Sequence, residues 1–180
     1  SSKKAVCDAS GTPLQEVKTD ASLFVGQAIV GIGYSSEMQI FPSGLTKGTV
    51  KYNYSSNTLT LDGINISTTK RFIDNKKMKG LKIVVKGANT VSTTNWGIFS
   101  FVDCSIEGAT SSYTANKLTV SKSFGPVTLW LDDYSGNSTM TLKNLTLDVK
   151  GTDVGISGQA NSGVTYTRDL VIDNCKITNS

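Results

Sequence analysis

The sequence contains no histidine, and this absence excludes several kinds of active site at once. Ser-His-Asp and Cys-His catalysis, general acid-base chemistry by an imidazole, and metal sites with histidine ligands all require that residue. Binding modules and enzymes that work with carboxylates alone remain open.

Cysteine is also scarce, since Cys7, Cys104 and Cys175 are the only three. An odd number without CxxC spacing indicates neither a disulfide framework nor a zinc site. The sequence therefore predicts no metal site and no cofactor.

Charge and long apolar runs are limited too. The formal net charge of +4 is weaker than expected for a nucleic-acid-binding protein, so we expect no nucleic-acid partner. No apolar run reaches 18 residues, so we expect no transmembrane segment. The first residues, SSKK, have no hydrophobic core of a signal peptide, and any export signal would already have been removed.

Serine, threonine, asparagine and glycine are abundant instead, with 22, 22, 12 and 17 residues. Together with frequent valine and isoleucine, they favour β-strands joined by tight polar turns over helices. A length of 180 residues suits one domain with a continuous core. We therefore expect one all-β domain.

A pattern of apolar-x-apolar-x-x-apolar-x-apolar occurs four times. Alternation within each half places every second side chain on one face, as in a strand, and it resumes inward after a two-residue corner. A short side chain before each second half suits a left-handed corner. The corner residues are Gly63, Asp103, Asn144 and Asn174. The inward sets are Leu59/Leu61/Ile64/Ile66, Phe99/Phe101/Cys104/Ile106, Met140/Leu142/Leu145/Leu147 and Leu170/Ile172/Cys175/Ile177.

Weaker alternation fills the gaps between these four copies, at Ile83/Val85/Ala88, Leu118/Val120 and Val127/Leu129/Leu131. Successive coils would then start at Leu59, Leu81, Phe99, Leu118, Met140 and Leu170. Steps of about 20 residues are typical of solenoids, whereas a propeller blade needs about 40 to 45 residues and leucine-rich repeats need LxxLxL spacing. The sequence therefore predicts a right-handed parallel β-helix, a single-stranded solenoid of six or seven turns.

The repeat is present in residues 50–180 and absent from residues 1–49. Because the end of a solenoid exposes strand edges and core, we expect 1–49 to form an irregular N-terminal cap and 50–180 to form the β-helix. The last repeat, by contrast, is followed at once by Asn179-Ser180. We expect this uncapped C-terminal end to be covered by further chain, by a protein partner or by self-association.

Three segments carry a resemblance to known proteins: GTVKY at 48–52, NTLTLDG at 57–63 and LKIVVKGANT at 81–90. They resemble repeats of secreted or surface proteins of gut bacteria that carry a carbohydrate-binding-like domain of unknown function, with a pectate-lyase-like architecture. The resemblance implies a bacterial protein that is exported to the cell surface or secreted. It transfers no catalytic or binding residue to this chain.

Trp130 is the main candidate for a binding residue. Because its neighbours Leu129 and Leu131 take inward positions, Trp130 should project from the outer face. An exposed aromatic ring beside hydrogen-bonding side chains can stack on a sugar ring, and the alternative is that a loop or partner covers it. Trp96, which Gly97 follows, is expected to anchor a corner or a loop. The predicted ligand-binding residues are Trp130, Asp132, Asp133 and Tyr134.

The favoured function is a non-catalytic, secreted or cell-surface module that binds a polysaccharide or cell-surface glycan, or acts in adhesion. The alternative is a carbohydrate-active enzyme, a polysaccharide lyase or a glycosidase. A glycosidase needs two carboxylates about 5 to 9.5 Å apart, and Asp132-Asp133 would meet this only where the chain turns. A turn, a catalytic pair and an ion site all remain open there. No catalytic residue is assigned.

Two further expectations concern lysines and cysteines. The basic stretch from Lys70 to Lys79 could bind an acidic polysaccharide or form a solvated loop whose apolar members pack on the coil. Cys104 and Cys175 take the same inward slot of two repeats, too far apart for a disulfide, so both should be buried thiols.

Overall fold

The structure, a computed structural model, describes residues 22–30, 37–122, 127–132, 136–150, 154–158, 163 and 165–179. Within these residues the chain is all-β, and its strands form a parallel β-helix as the sequence predicts. No helix in the described part of the chain is long and apolar enough to cross a membrane. Asp133 and Tyr134, two of the predicted binding residues, lie outside the described residues.

The described strands are between 2 and 13 residues long. The first eight are β1 (Leu23–Val25), β2 (Ala28–Ile29), β3 (Glu37–Ile40), β4 (Leu45–Asn53), β5 (Thr58–Thr68), β6 (Ile73–Asn75), β7 (Leu81–Thr93) and β8 (Ile98–Ser100). The others are β9 (Cys104–Gly108), β10 (Asn116–Lys122), β11 (Val127–Leu131), β12 (Ser138–Lys143), β13 (Thr146–Lys150), β14 (Val154–Gly158), β15 (Arg168–Asp173) and β16 (Lys176–Asn179). A 3-10 turn, Tyr113–Ala115, precedes β10.

Two sheets run along the stack. The small sheet has the order β14-β11-β8-β6-β1-β2, and its strands from β6 to β14 are parallel. In the large sheet, β7 pairs in parallel with β5 on one edge and with both β9 and β10 on the other. The pairs β12/β13 and β15/β16 continue these two arms. Each coil therefore contributes two arms to the large sheet and one strand to the small sheet.

Alternation within the arms explains the core. The first and third predicted inward sets are confirmed, because all eight of their residues are at most 1% exposed. The strand register stacks like positions of successive coils, and the column through the first arm is Leu59, Ile83, Ile106, Leu142 and Ile172. Burying one such side chain stabilises the fold by about 1.5 to 3 kcal/mol. The core is thus a set of apolar columns between the two sheets.

The bend between the arms uses left-handed backbone. Gly63, Asn144 and Asn174 have φ of 59°, 54° and 49°, which confirms the corner prediction for these three residues. The corner asparagines also stack, since Asn174 Nδ2 donates a hydrogen bond to Asn144 Oδ1 at 2.8 Å. Asp103 was predicted as a fourth such corner, which is wrong. It lies at the different corner that leads from β8 to β9, where its Oδ1 accepts a hydrogen bond from the Thr139 amide.

The prediction of six or seven turns is wrong as well, because about three turns separate the first and last parallel strands of the small sheet. Phe99 and Leu118 do not start coils. Phe99 lies in β8 of the small sheet, and Leu118 lies in β10, the second arm of the coil that β9 begins. Alternation has the same period in either arm and in the small sheet, so the pattern alone does not separate an arm from a whole coil.

The inward assignment of Ala88 also changes. Ala88 is exposed, because Gly87 bends the chain with φ of 69° and moves the inward position to Asn89, which is 1% exposed. Asn89 satisfies its buried amide by accepting a hydrogen bond from the Ile64 amide and donating to the Lys86 carbonyl.

The strands β3 and β4 form an antiparallel pair, and β4 also pairs antiparallel with β5. The predicted boundary at residue 49 falls within β4. On this pair, Tyr52 is fully buried, and its hydroxyl donates a hydrogen bond to Asn57 Oδ1 at 3.0 Å. Burial and, to a lesser degree, the neighbouring Tyr54 raise the pKa of Tyr52 to about 12. Because β4 pairs with β5, the edge of β5 that faces away from β7 is covered.

At the other end, β15 and β16 are the last strands that the structure describes in the large sheet. Leu170 and Ile172 stack on Met140 and Leu142, yet they are 45% and 52% exposed. Cys104 is buried as predicted, but Cys175 is only half-buried, because it belongs to this last coil. The two cysteines do not share a slot either, since Cys104 stands in the column of Leu170.

Candidate functional site

The outer face of the small sheet carries one row of side chains that runs along the stack. Inward residues such as Ile98 and Leu129 are fully buried, so the residues that follow them point outward. The strand register places these outward residues next to one another in the order Asp74, Phe99, Trp130 and Ser157. An acid, two aromatic rings and a hydroxyl thus form a continuous row.

Phe99 is the centre of an aromatic cluster on this face, which consists of Arg71, Trp96, Phe99, Phe101 and Trp130. Its ring centroid lies 5.0 Å from that of Trp96 and 4.8 Å from that of Phe101. The Trp130 ring is nearly parallel to it, at 3° and 6.3 Å. Phe99 is only 2% exposed although it points outward, because the other members cover it. The outer face therefore has a small apolar core of its own.

Arg71 closes the cluster with its guanidinium. The Cζ atom lies 3.7 Å from the centroid of Phe99 and 4.5 Å from that of Trp96, and Nη1 makes an ion pair of 3.1 Å with Asp74. A planar cation over an aromatic face is stabilised by the ring quadrupole, by about 0.5 to 2 kcal/mol depending on exposure. Contacts with Phe99, Trp96 and Asp74 thereby fix the orientation of the Arg71 side chain.

Trp96 lies at the corner between β7 and β8, as the sequence predicts for a corner residue. The corner is fixed by backbone hydrogen bonds, in which the Trp96 carbonyl accepts from the amide of Phe72 and the Thr94 amide donates to Thr68. These bonds bring the residue before Phe72, Arg71, against the indole. Lys122 Nζ approaches the same ring from the next coil, at 6.0 Å. The cluster thus combines residues from three successive coils.

Trp130 points outward as predicted, because Leu129 and Leu131 on either side of it are buried. Its ring is half-buried, with Phe99 and Trp96 as its aromatic neighbours. Its Nε1 is buried and has no hydrogen-bond acceptor among the described residues. The side chain that stands next to Trp130 on the following strand is Ser157, which is small and half-buried. Asp132 is also half-buried, and its amide donates to the Ser100 carbonyl.

A groove lined by hydroxyl groups lies beside the cluster, where β5, β7 and β10 end. Its volume is about 290 Å³, and its lining residues are Ser67, Thr68, Ser92, Thr93, Thr94, Ser121 and Lys122. The register stacks Ser67, Ser92 and Ser121 in one outward row. Because Lys122 both lines this groove and approaches Trp96, the groove and the aromatic cluster are adjacent.

Acidic side chains on the outer faces are engaged with lysines of neighbouring strands. Lys86 donates a hydrogen bond to Asp62 at 2.8 Å, and this contact raises the pKa of Lys86. Further pairs are Lys82–Glu107, Lys79–Asp103, Lys143–Asp173 and Lys51–Glu37. Among the described residues no three acidic or cysteine side chains are grouped as metal ligands. The charges therefore form a ladder of exposed ion pairs.

Three cations of the basic stretch from Lys70 to Lys79 also contact other side chains. Arg71 and Lys79 pair with Asp74 and Asp103, and Lys76 Nζ lies 5.0 Å from the ring of Phe24. Its apolar members Phe72 and Ile73 are fully buried. These cations are thus distributed among separate partners along the stack.

Sequence reasoning located Trp130 and missed the residues that hold it. The alternation with Phe101 predicts a core position for Phe99, and no sequence motif links Arg71 to Trp130. The signal that could have found them is the spacing between corners: aligning Thr68-Thr69 with Thr93-Thr94 places Arg71 level with Trp96.

Comparisons with protein-family models, with curated proteins and with solved structures find no match for the chain. The resemblance to surface proteins of gut bacteria therefore stays a prediction.

Proposed function

We propose that this protein is a non-catalytic module of a secreted or cell-surface protein and that its aromatic cluster binds a glycan. The observation that carries the proposal is the half-buried indole of Trp130, which Phe99 and Trp96 support on a rigid sheet. A ring that is already held in place loses little conformational entropy when a sugar stacks on it. Aromatic side chains present such apolar faces to ligands that carry polar edges.

The row of outward residues supports a position for the sugar. Phe99 stacks against Trp130 on the strand before it, and Ser157 occupies the same place on the strand after it. Adjacent strands are about 4.8 Å apart, which is close to the spacing of stacked rings. A pyranose ring over Ser157 would therefore continue the row of rings and stack on the face of Trp130 that points away from Phe99.

Hydrogen-bonding groups near the indole support a sugar more than an apolar ligand. Ser157 and Asp132 are half-buried beside Trp130 on adjacent strands, and the hydroxyl-lined groove borders the cluster on its other side. Hydroxyl, carboxylate and ammonium groups can each bind sugar hydroxyls. A chain of several sugars could extend from Trp130 over Trp96 into this groove.

The alternative, a carbohydrate-active enzyme, has less support. The described acids are mostly paired with lysines or arginine, so their charge is already compensated. A calcium-dependent lyase needs several free acids beside a base, and no such group occurs in the described part of the chain. A lyase assay on uronate polymers with added calcium, followed by the absorbance of the unsaturated product, tests this alternative directly.

The binding test is a glycan array, followed by titration calorimetry with the best oligosaccharide. Wild-type protein should bind at least one glycan class, and Trp130→Ala should weaken binding about tenfold or more, as expected for the loss of about 1.5 kcal/mol of ring contact. Trp130→Phe should retain most of the affinity because it keeps an aromatic face.

Two further variants separate binding from folding. Ser157→Leu leaves the aromatic cluster intact and fills the proposed sugar position, so it should also reduce the affinity. Tyr113→Ala removes another exposed aromatic, 38% accessible, from the 3-10 turn and should leave the affinity unchanged. Absence of binding across the array, or equal affinity of wild type, Trp130→Ala and Ser157→Leu, would contradict the proposal.

A further inference from the structure

The last coil presents apolar side chains that the described residues leave open. Leu170, Val171 and Ile172 are 45%, 46% and 52% exposed, while the residues beneath two of them, Met140 and Leu142, are at most 1% exposed. A hollow of about 150 Å³ opens beside them, lined by Leu131, Met140, Ile156 and Leu170 among others. An exposed apolar surface of this kind, on a strand at the edge of a sheet, favours pairing with another chain.

The two ends of the stack differ, and this difference limits how copies of the chain can meet. At the first coil, β4 covers β5 by antiparallel pairing. At the last coil, β15 and β16 have partners only on the side of β12 and β13 among the described strands. A head-to-tail stack would need an open parallel edge at both ends. Two copies can therefore pair their last coils with each other.

We propose that the last coil is a self-association surface on which two copies of this chain pair β15 of one copy with β16 of the other, antiparallel, around a two-fold axis. A two-fold interface requires a surface that is complementary to itself. The inward residues of the last coil meet this condition. Leu170 and Ile177 lie at equal distances along the chain from the corner, and so do Ile172 and Cys175.

The pairing that results matches the four inward residues of the last coil. With the axis between Asp173 and Asn174, Leu170 faces Ile177 of the partner subunit, and Ile172 faces Cys175 of the partner subunit. The outward pairs include Asp169 with Thr178 and Val171 with Lys176, so no like charges oppose one another. Directly opposite residues of an antiparallel pair lie on the same face of the sheet, so all four inward side chains remain inward.

A shifted register does not give this match. If the pairing moves by two residues, either Ile172 faces the outward Asp173 or Cys175 faces the corner residue Asn174, and the bends of the two copies no longer coincide. A bent pair of arms can stack only on an equally bent pair. The corner at Asn174, with φ of 49°, therefore selects one register.

The test measures the mass of the 180-residue chain by sedimentation equilibrium over a range of concentrations. We expect a dimer, twice 19.1 kDa, and Ile172→Lys should raise the dimer dissociation constant about 30-fold or more by placing a charge in the interface centre. Because Ile172 is exposed, this variant should fold normally. Phe41→Lys, a substitution of an exposed apolar residue outside the last coil, is the control and should leave the dissociation constant unchanged.

An engineered disulfide checks the register. In a Cys7→Ser background, with oxidised glutathione added as the oxidant, Ile172→Cys should form an intermolecular disulfide with Cys175 of the partner subunit, since opposite residues have Cα atoms about 4.5 to 5.5 Å apart. Leu170→Cys faces Ile177 and should not cross-link. A monomer at all concentrations overturns the proposal, as does a dimer that neither Ile172→Lys weakens nor Ile172→Cys cross-links. These outcomes are independent of glycan binding, which involves the outer face.

Discussion

Replacing Cys104 with alanine should change how the stability of the protein depends on alkaline pH. The thiol is buried in β9, and its burial raises its pKa from 9.0 to about 11; Asp103 adds to this rise, and a hydrogen bond with Ser100 opposes it. Between these two pH values the unfolded chain releases the thiol proton while the folded chain keeps it. Unfolding is then coupled to proton release, so the free energy of unfolding falls as the pH rises.

The size of the effect follows from the shift. One pKa unit corresponds to 1.36 kcal/mol, so the full shift is worth about 2.7 kcal/mol once the pH exceeds 11. At pH 10 the unfolded thiol is mostly ionised and the folded thiol is not, and the loss is about 1.4 kcal/mol. At pH 8 it is close to zero. Cys104→Ala also removes buried atoms, but the cost of that cavity does not depend on pH.

Urea unfolding at pH 8 and pH 10 measures this difference. The destabilisation caused by Cys104→Ala should be smaller at pH 10 by about 1.4 kcal/mol, because the variant has no thiol to ionise. Other alkaline titrations, such as that of Tyr52, occur in both proteins and cancel. Ile106→Ala, a buried position on the same strand without a titratable group, should cost the same at both pH values. An equal cost of Cys104→Ala at both pH values would refute the reasoning.

Two further pairs of substitutions probe the close approach of Gly44 to Ser67 and the aromatic cluster. Gly44→Ala should destabilise the protein by more than about 2 kcal/mol in urea unfolding, because a Cβ there would collide with the Ser67 carbonyl oxygen. Gly80→Ala, at a similar φ and with open space around the added Cβ, should cost only about 1 kcal/mol. Arg71→Ala should cost about 1 to 2 kcal/mol, and Arg71→Lys should recover less than half of this because an ammonium cannot stack on Phe99; full recovery by lysine would show that the ion pair with Asp74 alone matters.

The fold class could be predicted from the sequence because the inward columns leave a direct trace in it. Leu59, Leu61, Ile64 and Ile66 alternate, change phase at Gly63 and stay buried, and the same phase change recurs at Asn144 and Asn174. A hairpin would instead have needed turn residues that most of these corners lack. The pattern therefore identified a corner that keeps the same face inward, which is the defining property of a coil.

The number of coils could not be predicted in the same way. Coil boundaries depend on which strands become neighbours, and strand register is a tertiary property that alternation does not encode. β9 and β10 read as two repeats, yet both pair with the single long strand β7. The residues between them, which include the 3-10 turn, lengthen this coil without adding a level to the stack.

The candidate site was still harder to predict, because its members come together only through that register. Trp130 was found from its own strand, since a single aromatic between two inward leucines must point outward. The residues that hold the Trp130 ring could not be found in this way. Phe99 lies one coil earlier and Arg71 two coils earlier, and neither is part of a motif with Trp130. In a solenoid, residues that are about one coil apart in sequence become nearest neighbours along the stack. Sites in such chains are therefore found by comparing residues that lie at equal distances from successive corners. In this chain the comparison leads from Trp130 to Phe99 and to Ser157. Ser157 is the position at which Ser157→Leu tests whether a sugar binds.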